Sequence, residues 1–410
     1  MRPRRLVALG AALTAMTSLA AATAGATSRY SLHGTGEAVL PGRADARALG
    51  GAEAAAGVPS LSGNPASLAL TDQTRFYGTW ITDWTRSEEP RTPGVLKEYS
   101  GFIPNLGLVF PIPGDLRLGL GLLVERRQGG KIVRDATTPD GRPYQQVFEA
   151  KGNLLRIPVQ LARRAGPVQL GGGLDVLLLN STIQWRNTFP AGSGFASSDD
   201  RDERGIWGAA WKAGARIPLG SKLALGAWGS FPGQLSGTRR LRTEANTDSS
   251  GTLRIDSHED IARETGVGVE VTPARGWRVV GDWTREGWKD VAPPSPVDEF
   301  VDVNRLGVGV EWSPAASSGL QWPVRLGFRT EPLHTLDSAG RKVNERALSA
   351  GSGFSFADGR GEFDWFVEYA WRGQRDVSEF YEQSVRLGVT LTGFEEWSGR
   401  RPPEDAAGDW

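Results

Sequence analysis

The stretch SEFYEQSVRLGVTLTG, residues 378–393, places Val385, Leu387, Val389 and Leu391 on alternate positions, with Ser384, Arg386, Gly388 and Thr390 between them. Side chains of a β-strand point alternately to opposite faces, so this segment reads as a strand with one apolar and one polar face. The pattern recurs. In 361–372, Phe363, Trp365, Val367, Tyr369 and Trp371 oppose Asp364, Glu368 and Arg372. In 301–313, Leu306, Val308, Val310 and Trp312 oppose Arg305, Gly307, Gly309 and Glu311. In 322–331, Val324, Leu326 and Phe328 oppose Arg325, Gly327, Arg329 and Glu331. A soluble sandwich also alternates, but most of these segments reach ~9–11 residues or more, enough to cross a bilayer when tilted.

The spacers alternate as well. Short turns at 111–115, 164–167, 218–222, 273–276 and 357–361 take turns with long polar stretches at 85–98, 127–145, 190–204, 241–255, 289–299 and 332–344. Strands that run up and down through one membrane give this rhythm, with short periplasmic turns and longer external loops. The reading is an all-β transmembrane antiparallel barrel of about fourteen strands. They are expected near 74–84, 99–110, 116–126, 146–163, 168–189, 205–217, 223–240, 256–272, 277–288, 300–313, 322–331, 345–356, 361–372 and 378–393. An even count leaves both chain ends in the periplasm. Trp80, Trp84, Trp185, Trp207, Trp283, Trp312 and Trp371 near segment ends fit aromatic girdles at the membrane–water boundaries.

The 410 residues carry equal numbers of acidic and basic side chains, so nothing points to nucleic acid. Arg2, Arg4 and Arg5 precede an uncharged Ala/Leu-rich run from Leu6 to Ala22, then small residues up to Ala26. That order reads as a secretory signal peptide, expected over 1–26, with an N-terminal membrane anchor as the rival reading. Loss of the signal peptide would leave a net charge of −3. There is no cysteine, which excludes disulfides and thiol chemistry. A closed barrel is stable without them because every strand is paired. No apolar run after the signal approaches ~18 residues, so no transmembrane helix is expected.

Residues 27–73 do not alternate and are rich in Gly and Ala. A barrel of this width has a lumen that facing side chains do not fill, so this segment is expected to plug it. Asn64-Pro65 suits a turn. The run Arg47-Ala48-Leu49-Gly50-Gly51-Ala52, followed by Asn64-Pro65-Ala66 and Leu68, resembles the start of the FadL/TodX long-chain fatty-acid transporter family. The resemblance implies an N-terminal hatch carrying Asn64, Pro65 and Ala66, a fourteen-stranded barrel over 74–393, and passage of apolar molecules through a gap beside a kinked strand. No ligand-pocket residue carries over.

Pro104 and Asn105 interrupt the second strand. Proline cannot donate to a ladder, which predicts a bulge, a strand boundary or a lateral opening there. Pro158 poses the same question in the fourth strand. Arg305, Glu311, Arg325, Arg329, Glu331, Asp364, Glu368 and Arg386 are expected in the lumen, as a ladder of mixed-sign pairs rather than a selective pore. His33, His258 and His334 have no metal spacing, and there is no Gly-x-Ser-x-Gly elbow. No catalytic residue, metal or cofactor is expected. The expected function is passive uptake of hydrophobic, fatty-acid-like molecules by a monomer in the bacterial outer membrane. Its expected partners are that ligand, membrane lipid and lipopolysaccharide, and the barrel assembly machinery. The alternative is a barrel scaffold or secretion partner, to which the tail 394–410 would contribute; a general porin ranks third.

Overall fold

The computed structural model describes residues 28–32, 34–89, 95–245, 250–293, 299–314, 322–357 and 359–395. The expected signal peptide, His33 and the tail after Glu395 lie outside the described residues.

Fourteen strands form the wall: β1 (Thr74–Glu88), β2 (Val95–Ile112), β3 (Leu116–Thr137), β4 (Pro143–Ala165), β5 (Val168–Thr188), β6 (Ser198–Leu219), β7 (Leu223–Pro232 and Leu235–Ala245), β8 (Ser250–Glu259 and Glu264–Val271), β9 (Trp277–Glu286), β10 (Val303–Trp312), β11 (Val324–Leu336), β12 (Lys342–Phe356), β13 (Gly361–Arg372) and β14 (Tyr381–Glu395). Each pairs antiparallel with the next, and β14 pairs with β1 along its whole length, which closes the ring. β7 breaks just after Pro232, which has no N–H to give the ladder.

All fourteen expected strands are present, but several are longer. The polar stretches 85–98, 127–145, 190–204 and 241–255 were expected as loops. Much of each is strand: β3 and β4 stay in register from Gln128↔Gly152 up to Thr137↔Pro143. Above the lipid both faces meet water, so the alternation disappears while the hydrogen-bond ladder continues. One girdle expectation changes for this reason. Trp185 shares a face with the inward-pointing Leu177 and Leu179 and packs on Phe148, 5.5 Å between ring centroids, instead of facing lipid.

The outer surface is apolar over the middle of the strands, with Val267, Val269, Leu306, Val308, Leu326, Leu387 and Leu391 exposed. Aromatic rings mark both edges, Trp84 with Tyr99 on the long-loop side and Trp277 with Trp312 on the short-turn side. No helix among the described residues is long and apolar enough to cross a membrane.

Residues 28–73 are enclosed by this wall. They form 3-10 turns at Arg29–Leu32 and Pro65–Leu70, a two-residue strand Glu37–Ala38 and the helix α1 (Ala44–Ala48). Their polar partners lie on strands around the ring: Thr390 and Glu368 on one side, Asp282 on another, Ala215 on a third. Glycines on the inner face admit their backbone. A Cβ on Gly327 would lie 2.2 Å from Gly50 N, and one on Gly309 would lie 2.6 Å from Leu49 Cα. Several wall glycines therefore make room for the enclosed backbone, while Gly268 and Gly353 make room for the Asp282 and Asp364 carboxylates.

Candidate functional site

One wall of the lumen is a lattice of ion pairs. Glu368 is 1% exposed and accepts from Arg47 at 2.9 Å, Arg329 at 3.0 Å and Arg386 at 2.8 Å. Arg329, Arg372 and Arg386 also share Glu345. Arg325 joins Glu311 at 2.6 Å to Asp364 at 2.7 Å, and Arg305 reaches Glu264 and Glu331. Buried charges persist only when paired in this way. Two arginines of the enclosed segment enter the lattice, Arg47 through Glu368 and Arg43 through Asp364 at 3.3 Å. The mixed signs leave no single-sign path through the barrel on this side.

Farther round the ring two strands part. β2 and β3 pair only from Asn105↔Leu123 down to Ile112↔Leu116, eight residue pairs, although both strands continue upward. The parting begins next to Pro104. Thr79 faces Asn105 and Ile81 faces Phe102, so Ile103 and Pro104 together oppose Trp80 in a β-bulge. On β3, Glu125 bulges out of the ladder to β4, and that ladder also lapses opposite Pro158. Asn105 Nδ2 donates to the carbonyls of Pro41 and Gly42, tying the parting point to the enclosed segment.

The edge that β2 leaves is covered from inside. Glu37 and Ala38 pair with Arg127 and Arg126, and Val39 N donates to Glu125 O at 2.8 Å. Higher up, Ser31 Oγ donates to Gly129 O at 2.6 Å and Arg29 to Lys131 O at 2.8 Å. The same strap is fastened across the mouth to the β13–β14 connection, where Tyr30 Oη donates to Phe380 O at 2.7 Å. Burial pushes the Glu37 carboxyl above its ordinary range despite the neighbouring Arg372. It does the same to Glu53, whose carboxylate is held by Ser60 and Ser62 hydroxyls.

An apolar patch faces inward from β4, β5, β6 and β7. Leu154, Leu177, Leu179, Ile206, Ala210 and Leu235 are all buried there, joined by Ile261. Sequence reading assigned the inner face to polar residues and missed these. A signal was present: Leu154-Leu155 and Val176–Leu179 are apolar at both parities, which a strand facing lipid on one side and water on the other would not need. Of two small cavities, only the first adjoins the patch. That one, about 80 Å³, is lined in part by Leu154, Leu177, Trp228 and Trp288. The other, about 50 Å³, lies at the parting beside Val39, Ile81 and Phe102, and among the charged Arg127, Arg329, Glu345, Arg372 and Arg386. A third space of about 480 Å³ opens among the short turns and is polar, lined by Arg43, Asp45, Arg75 and Glu311.

Asn64, Pro65 and Ala66 lie against β5 and β6. Asn64 Oδ1 accepts from Ala66 N at 3.0 Å and caps the 3-10 helix, while Nδ2 donates to Ala54 O and to Ala215 O on β6. The motif is thus an anchor to the wall. His334 is buried between Trp288 and Phe300, and His258 is exposed beside Ser236. Among the described residues no cluster of His, Cys, Asp and Glu could hold a metal ion.

No protein-family model matches the chain, and no curated protein matches it in sequence. Solved structures do match in shape. The toluene transporter TodX of P. putida superposes with a TM-score of 0.62 at 16% identity, over 87% of this chain and 100% of that one. The Ralstonia pickettii toluene transporter TbuX gives 0.60 at 15% identity, over 86% and 98%. A Pseudomonas aeruginosa FadL homologue gives 0.59 at 13% identity, over 86% and 98%. At these identities the likeness speaks to architecture, and on that ground this chain has the fourteen-strand barrel fold of the FadL/TodX-type channels.

Proposed function

We propose that the protein is an outer-membrane channel for passive uptake of hydrophobic small molecules. In this reading, residues 28–73 are its hatch and the parting of β2 and β3 is its lateral exit. The observation that carries it is the inward apolar patch at Leu154, Leu177, Leu179, Ile206 and Leu235, in a barrel whose β2 and β3 part. A lumen that only had to be filled could use ion pairs throughout, as the opposite wall does. Long-chain fatty acids and small aromatic hydrocarbons both suit such a surface, and the similar structures include toluene transporters.

The cavities of about 50 and 80 Å³ are well below the ~300–1,000 Å³ of ordinary ligand pockets. The conformation described is therefore closed, and uptake requires the strap or hatch to move. The tight packing also fits the scaffold reading, so the deciding test is one of movement. The chain has no cysteine, so Ala48→Cys with Ser349→Cys, positions bridged by a hydrogen bond from Ser349 Oγ to Ala48 O at 3.1 Å, would give a clean tether. Uptake of a labelled hydrophobic probe should stop when the pair is oxidised and return on reduction. Unchanged uptake would remove the moving hatch from the mechanism. No uptake in any state, with no apolar compound in organic extracts, would favour the scaffold.

A further inference from the structure

Two outward rows on β12, β13, β14, β1 and β2 can be read directly from strand register. The lower row is Leu348, Tyr369, Val385, Trp84 and Tyr99, each the partner of the next. It is part of the aromatic edge on the long-loop side, with Trp84 and Tyr99 rings 5.5 Å apart. One step higher on every strand lie Arg346, Trp371, Gln383, Arg86 and Lys97. Residues directly above an aromatic girdle stand at the level of lipid headgroups.

The upper row is cationic. Glu88, just above, is the carboxylate closest in register; it pairs with Arg86 at 2.7 Å and with Arg375 at 3.7 Å. Asp376 and Glu379 belong to the connection above, where Glu379 accepts from Ser338 N. Arg86 and Lys97 are direct cross-strand partners on one face. Like charges so placed repel, and an anion between them turns that repulsion into attraction. Cations at other long-loop ends have an acid each, Arg285 with Asp302 at 2.9 Å and Arg201 with Asp199 at 3.2 Å; here Arg86, with Lys97 across from it, shares Glu88 with Arg375. Arg346 stands three strands from Arg86, about 14 Å at the usual spacing. Between them Trp371 presents a ring, packed 5.9 Å from Tyr369, and Gln383 Nε2 is held by Tyr369 Oη at 2.6 Å.

We propose that this row binds the phosphorylated sugar headgroup of an outer-leaflet glycolipid. One phosphate lies between Arg86 and Lys97, a second meets Arg346, and the sugar lies against Trp371. Two anions at opposite ends of a disaccharide match the spacing, and guanidinium forks suit phosphate oxygens. The proposal rests on the outer-membrane placement and not on uptake.

The test is native mass spectrometry of the full-length protein in non-ionic detergent, titrated with lipid A, dephosphorylated lipid A or phosphatidylglycerol. The wild type should retain one lipid A. Arg86→Gln, Lys97→Gln and Arg346→Gln together should weaken that binding about tenfold or more, a loss of about 1.4 kcal/mol. A charge-matched control on the far hairpins, Arg142→Gln with Arg186→Gln and Arg242→Gln, should bind as the wild type does. If the triple variant does not fold, as judged by heat-modifiable mobility, K97Q and W371A alone should each give a partial loss. Equal binding of lipid A by wild type and row variants overturns the site, as does equal binding of dephosphorylated lipid A or phosphatidylglycerol. Probe uptake by the folded triple variant should be unchanged, which separates this proposal from the transport reading.

Discussion

The walls on either side of β1 are built on opposite principles. Between β14 and β1 every residue from Tyr381 to Glu395 has a partner, and the inner face nearby is charged, with Glu345 and Glu368 gripping arginines from three strands and from the enclosed segment. Between β2 and β3 only eight pairs form, and the inner face farther along, on β4 to β7, carries an aliphatic patch. The contrast separates holding from passing. Paired buried charges fix the N-terminal segment in one place because breaking a pair strands a charge in a low-dielectric site. Apolar side chains impose no such partner, and a strand edge released from its neighbour can be covered by a removable strap.

Glu368→Ala should break the holding wall hardest. It leaves Arg47, Arg329 and Arg386 without their shared carboxylate, and should cost about 3–5 kcal/mol in a reversible urea unfolding measurement in lipid or detergent. Stability within 1 kcal/mol of wild type would mean that Glu345 alone suffices. Gly36→Ala probes the other wall. Gly36 has φ +88°, and a Cβ there would lie 2.4 Å from the Arg127 carbonyl. The strap should lift from β3 at a cost of about 2 kcal/mol, seen as lost hydrogen-exchange protection at Val39 while β14 amides stay protected. Equal protection at both places would show the strap is not held through this contact.

Asn64→Ala removes the cap, the bond to Ala54 and the bond to the wall at Ala215, and should cost about 1 kcal/mol by the same unfolding assay without opening the strap. A loss of Val39 protection in this variant would mean that the two ends of the segment are coupled. The smallest expected effect is that of Pro104→Val. Restoring an N–H should tighten the bulge and slow uptake of a hydrophobic probe about threefold, under 1 kcal/mol. Unaltered uptake would move the exit away from the bulge.

Much of the wall was legible because the signal is local. Val385 to Leu391 alternate whatever the rest of the chain does, and Pro104 and Asn105 announced an interruption because proline lacks an N–H. Strand lengths above the membrane were not legible, since the alternation that marks a strand comes from lipid on one face, and residues such as Arg134 and Gln146 have water on both. The apolar patch was half legible, in runs such as Val176–Leu179, but nothing local says that Leu177 and Leu179 meet Leu154, Ile206 and Leu235.

The sequence by itself determined the barrel, its approximate strand count, the faces of the strongly alternating strands and the presence of a small-residue segment ahead of it, because these follow from period-two patterning and turn spacing. Only the tertiary structure decided what that segment touches. The pairing of Glu37–Ala38 with Arg127–Arg126, the grip of Glu368 on Arg47 and the fit of Gly50 against Gly327 join residues far apart in the chain. Such contacts are selected by closure of the ring and by the need of each buried charge for a partner, and neither condition is written in any local stretch of sequence.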